Sequence, residues 1–146
     1  MKRIFDTQLI GPFAAMVIVA VIVSLTTERF LNPGNLSNLS LQVSIVALIA
    51  IGSTIVIFAA GIDLSSGSMV ALLTMILAQF LKIMGIPLSL AAPMILIVGG
   101  VLGLFIGIIT AYGRIPSFIT TLAGLIAFRG MALTFNNGSP IFSLDP

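Results

Sequence analysis

The feature that most constrains this chain is the spacing of its charges. Its 146 residues hold six Lys/Arg and four Asp/Glu, and the gaps between them are long and apolar. Thr7 to Thr27 carries no charge, nor does Phe30 to Ile62, Leu64 to Leu81 or Ile83 to Gly113. Crossing about 30 Å of hydrocarbon takes about 20 apolar residues in a helix. The gaps are of that order, so the charges mark the ends of spans. The charged share is 7%, where an ordinary soluble domain has about 25%, too little to cover a globule in water. A mean hydropathy of +1.28 agrees. The formal charge of +2 comes from scattered residues and makes no basic patch for nucleic acid.

Cysteine and histidine are absent. That removes disulfides, Cys/His zinc sites, cysteine nucleophiles and a histidine general base. A membrane enzyme is therefore the least expected function.

The spacing predicts an all-α integral membrane protein, a polytopic bundle of about five transmembrane helices over 9–26, 39–60, 65–84, 88–111 and 117–135. A barrel is disfavoured, because the apolar runs are continuous and do not alternate. Asn32-Pro33-Gly34-Asn35, Gly85-Ile86-Pro87 and Gly113-Arg114-Ile115-Pro116 supply turn chemistry between spans. Pro12 falls in the first turn of the first helix, where a missing N–H costs least. The third span starts at Leu64 or Ser65, with Lys82 reaching back to the interface. With the N-terminus in the cytoplasm, Lys2, Arg3 and Arg114 lie inside and Arg29 and Lys82 outside, which favours that orientation.

Between the second and third spans lies a break that contains Gly61, Asp63, Ser65, Ser66, Gly67 and Ser68. Gly61 is expected to end the second helix in the left-handed conformation. Asp63 or Ser65 is expected to cap the third. Irregular backbone at membrane depth is tolerated only inside protein or beside a wet cavity. The break therefore either lines a translocation path for a polar solute or is a plain interfacial cap. In the fourth span, Gly99, Gly103 and Gly107 share one face, a seam for close or sliding packing, and Ala123 and Ala127 repeat the idea on the fifth. Arg129 is the one charge well inside a predicted span, roughly 18 Å along its helix at 1.5 Å per residue. It is read as a snorkelling or structural residue, with a pathway charge or a partner for Asp63 as the alternatives. Asn137-Gly138-Ser139-Pro140 reads as an exposed turn.

Ala60-Gly61-Ile62-Asp63-Leu64-Ser65-Ser66-Gly67-Ser68 resembles a segment of the permease subunits of bacterial ABC importers for simple sugars, the ribose/xylose/galactose type. That family shows Gly-Gly-Ile-Asp-Leu-Ser-Val-Gly-Ser there, so this chain departs at Ala60 and Ser66. Gly52-Ser53-Thr54-Ile55-Val56-Ile57, Pro116-Ser117-Phe118-Ile119-Thr120-Thr121-Leu122 with Arg129-Gly130, and Asn137-Gly138-Ser139-Pro140 resemble further family stretches, in order. The resemblance implies a transmembrane permease subunit of an ATP-driven monosaccharide importer in the bacterial inner membrane. It implies as partners a cytoplasmic ATP-binding subunit, an external solute-binding protein and a second permease copy. The family's chains are longer, so residues 1–146 are expected to form one transmembrane domain, the N-terminal part of such a permease. No GxxxxGK[ST] occurs, so no cofactor is expected on this chain and ATP is expected to be used by a partner. The competing readings are an ion-coupled secondary transporter of a small polar solute, with Asp63 the one candidate coupling group, and a non-transporting membrane scaffold.

Overall fold

The structure is a computed structural model that describes residues 10–135 and 138–139. Among the described residues the elements are five helices, α1 (Ile10–Thr26), α2 (Pro33–Phe58), α3 (Ser66–Lys82), α4 (Leu88–Gly113) and α5 (Ser117–Thr134). Among the described residues there is no strand. α2, α4 and α5 are long and apolar enough to cross a bilayer, and α1 and α3 are shorter apolar helices. The protein is an all-helical, multi-pass membrane protein.

Most helix limits fall within about two residues of the predicted spans. α2 is the exception, since it starts at Pro33 instead of 39. The turn residues at 32–35 turn out to be its cap. Asn32 Oδ1 accepts the Gly34 N–H at 2.9 Å and the Asn32 carbonyl takes the Leu36 N–H at 3.0 Å. Pro33 fills the first helical position, where its fixed φ suits a helix and its missing N–H would be unpaired anyway. Polar Ser and Asn in this first turn look loop-like by composition, yet they serve a helix end.

The chain divides into two compact units, Met1–Leu48 and Ile49–Pro146. In the first, neither α1 nor the early part of α2 buries a side chain. Hydroxyls here bond back to their own helix, as Ser24 does to the Ala20 carbonyl at 2.7 Å and Ser40 to Leu36 at 2.8 Å. In hydrocarbon such a bond removes the cost of an unpaired hydroxyl.

In the second unit α3 packs against α5 and α4. Leu72 of α3 and Phe128 and Ala132 of α5 form the buried centre, with Met69, Met75, Ile76, Leu102 and Ile106 around it. Lipid tails are as apolar as leucine, so helix association in a bilayer depends on close packing and interhelical hydrogen bonds. Gly124 supplies the first. A Cβ there would stand 3.0 Å from Ile106 Cδ1 and 3.2 Å from Ser65 Cβ. A Thr110–Thr120 hydroxyl pair at 2.7 Å supplies the second, joining α4 to α5. Lys2, Arg3, Asn137 and Pro140 lie outside the described residues, and with them part of the orientation argument and of the exposed turn.

Candidate functional site at the helix break

Residues 59–65 join α2 to α3, and the way α2 ends sets their course. The Gly61 N–H bonds the Val56 carbonyl and the Ala60 N–H bonds Ile57, both at 2.9 Å. This pair is a Schellman closure. It puts the left-handed residue at Ala60, with φ of 58°, and not at the expected Gly61. The register of the last helical carbonyls decides this, one residue earlier than composition suggested. Gly61 is needed for another reason. A Cβ there would lie 3.0 Å from Val56 Cγ1, 3.3 Å from the Val56 carbonyl and 3.5 Å from Ser117 Oγ.

Asp63 then folds the segment onto itself. Its Oδ1 accepts the Ser65 N–H at 2.8 Å and the Ser65 hydroxyl at 2.6 Å. Neither of the two expected caps serves α3: the Asp63 carboxylate takes the Ser65 N–H, which precedes the helix, and the Ser65 hydroxyl makes no capping bond into it. Ser65 is 1% exposed. Its carbonyl receives the Met69 N–H and the buried Ser68 hydroxyl, both at 2.8 Å. Ser66 is half-buried as the first residue of α3, and Gly67 is exposed.

Two side chains that the sequence reading did not single out tie this break to α5. The Ile62 N–H donates to Ser117 Oγ at 3.0 Å, and Thr121 Oγ1 donates to the Ile62 carbonyl at 3.1 Å. Ser117, Thr121 and Gly124 follow i, i+4, i+7 and so share one face. That stripe of small and hydroxyl residues on an apolar helix was the available signal.

Beside the break lies a cavity of about 300 Å³, bordered by Asp63, Ser65, Gly103, Gly107, Thr110 and Thr121 among others. At about 30 Å³ per molecule of liquid water that is room for about ten waters. A Cβ at Gly103 or Gly107 would meet nothing within 4 Å, so both glycines open onto space, while one at Gly99 would press on Leu73 Cδ1 at 3.0 Å. The predicted glycine face thus divides between a helix contact and a cavity wall. Ala123 and Ala127 line a larger cavity of about 400 Å³ between α4 and α5. Its walls are apolar apart from Thr120, whose hydroxyl is already engaged with the Ser117 carbonyl at 3.0 Å and with Thr110. It offers a polar solute nothing, so the smaller cavity is the candidate site.

Arg129 stands on an exposed face of α5, about 12 Å along the helix from Thr121. Among the described residues no group of three or more His, Cys, Asp or Glu is placed to hold a metal ion.

A family model described as "Branched-chain amino acid transport system / permease component" matches residues 35–140. The chain belongs to this permease family. Among curated relatives, it is 40% identical to the ribose import permease protein RbsC of Haemophilus influenzae over 88% of its own length and 40% of the relative's. The Bacillus subtilis RbsC is 41% identical, covering 98% of this chain and 45% of that one. The xylose transport system permease protein XylH of Escherichia coli is 38% identical, covering 93% and 35%. The permease chain described here thus spans between a third and a half of the length of these relatives. No solved structure matches it at a significant level.

Proposed function

We propose that this chain builds the transmembrane permease part of an ATP-driven importer of a monosaccharide such as ribose or xylose, and that the cavity beside the break borders the path. The likeness to ribose and xylose permeases over nearly the whole chain carries the reading. A neutral, hydroxyl-rich solute needs hydrogen-bonding groups along its way. Asp63 suits that role. Its Oδ1 is engaged with Ser65, which leaves the carboxylate's remaining lone pairs for solute hydroxyls. Val56, Met69 and Ile106 give the cavity apolar walls with a few polar groups, the usual composition of a small-molecule site.

In this reading the energy comes from a cytoplasmic ATP-binding subunit, the solute arrives from an external binding protein, and a second permease copy completes the channel. The N-terminus faces the cytoplasm of a bacterial cell, and this chain binds no cofactor. Uptake of labelled ribose and xylose by cells carrying the gene in its own operon tests the proposal. Saturable uptake that stops on ATP depletion and falls at least tenfold in Gly107→Leu, which fills the cavity, is the expected result. Uptake that survives ATP depletion and collapses with the ion gradient would establish ion coupling instead. Normal uptake in both Gly107→Leu and Asp63→Ala would remove the cavity from the path.

A further inference from the structure

Hydrogen bonds tie the break to α5 at Ile62, through both of its main-chain polar groups, while Ser65 packs by van der Waals contact against Gly124. Ser117 Oγ accepts the Ile62 N–H and Thr121 Oγ1 donates to the Ile62 carbonyl. These bonds join positions far apart in the sequence, and they are the links by which a rigid helix holds an irregular segment. The hydroxyl of Thr121 has one proton and three carbonyls within reach. Ile62 lies at 3.1 Å, Ser117 at 2.7 Å and Phe118 at 3.4 Å. The shortest is on its own helix, so Thr121 stays satisfied if Ile62 leaves.

The break also keeps its shape without α5. The Asp63–Ser65 bonds and the Gly61–Val56 bond lie within the segment and the end of α2. Release of Ile62 therefore frees two main-chain groups, beside a cavity with room for water. A buried staple would be expected to leave several orphaned groups on opening. This attachment leaves few, and it abuts the cavity that Gly103 and Gly107 also border.

We infer that Ser117 and Thr121 are positioning residues of a releasable latch on Ile62, closed in the state seen here and open in the opposite access state, so that the latch sets the width of the cavity. The inference rests on the transport reading above. Hydrogen–deuterium exchange over residues 59–64 in the membrane-embedded importer complex tests it, with no nucleotide and with ATP plus vanadate. The latch predicts that exchange differs between the two states by about tenfold, while α5 amides stay equally protected. One net hydrogen bond corresponds to roughly a 2- to 12-fold change. Ser117→Ala should raise exchange by that factor in the closed state and erase the difference between states. Thr121→Val should do so in part, and Thr121→Ser should restore wild-type behaviour.

Equal exchange in both wild-type states overturns the latch, as does a Ser117→Ala variant with unchanged protection at Ile62. Loss of protection spread evenly along α5 also overturns it, since that is general loosening. Uptake measured in parallel separates the two ideas. Persisting ATP-dependent uptake with state-independent exchange sinks the latch alone. Absent uptake with an intact Ser117→Ala effect on Ile62 sinks the importer reading.

Discussion

Two neighbouring substitutions at the end of α2 should act in opposite directions. Ala60 holds a φ of 58°, in the left-handed region. An L-residue there is disfavoured by about 1–2 kcal/mol, because Cβ crowds the following carbonyl oxygen. Glycine removes that strain but gives the unfolded chain more freedom, offsetting about 0.4–1 kcal/mol. Ala60 is exposed, so no packing is lost, and its N–H bond to Ile57 needs no side chain. Ala60→Gly should therefore stabilise the protein by roughly 0.5–1 kcal/mol. At Gly61 the balance reverses. A new Cβ would meet Val56 Cγ1 at 3.0 Å and the Val56 carbonyl at 3.3 Å, and the carbonyl cannot rotate away. Overpacking of this kind costs about 1–3 kcal/mol. Thermal unfolding in bicelles, followed by circular dichroism, measures both. At the unfolding entropy usual for a domain near this size, about 3–5 °C of Tm corresponds to 1 kcal/mol. Ala60→Gly should gain about 2–5 °C and Gly61→Ala should lose several degrees. A lower Tm for Ala60→Gly, or a harmless Gly61→Ala, would refute the placing of the strained residue at 60.

The other predictions concern the site and its surroundings. Asp63→Ala removes the acceptor of two Ser65 donors at a residue that is 1% exposed, and should destabilise by about 2–3 kcal/mol in reversible unfolding by SDS. Asp63→Asn retains an acceptor oxygen and should cost about half as much in the same assay. Gly103→Ala has open space for its methyl group and should stabilise α4 by roughly 0.5–1 kcal/mol. Gly124→Val should cost more than 2 kcal/mol, because it pushes on Ile106 and on the buried Ser65, and the gap between these two glycine variants measures the packing argument directly. A double-mutant cycle of Thr110→Val and Thr120→Val should return a coupling of about 0.6 kcal/mol, the usual size for interhelical hydrogen bonds in membrane bundles, and a coupling near zero would remove that bond from the account.

Where the helices lie was legible without coordinates. A charge in hydrocarbon costs several kcal/mol, so the charges and turn residues of a chain like this collect at the ends of its spans. That argument is local in sequence, and it delivered the limits of α1, α3, α4 and α5 to within about two residues. It failed at the start of α2, because Ser and Asn serve a first helical turn as well as a loop. Within the break, the carboxylate and the hydroxyls stood out by composition. Their pairing, Asp63 with Ser65, is also local and lay within reach of the sequence.

The rest was decided by tertiary structure. The left-handed position fell on Ala60 because the register of the closing hydrogen bonds chose it, against the conformational preference of its neighbour. Ser117 and Thr121 became anchors of Ile62 only through folding, which brought α5 alongside a segment more than fifty residues away. The stripe of Ser117, Thr121 and Gly124 marks a polar face on α5, but a local pattern does not say which main-chain group, so distant in sequence, that face will meet. The sequence by itself determined that the solvent is lipid and that the backbone must break near Asp63. Only the packing of α3, α4 and α5 decided what the break is tied to, and which glycines face a neighbour and which face a void.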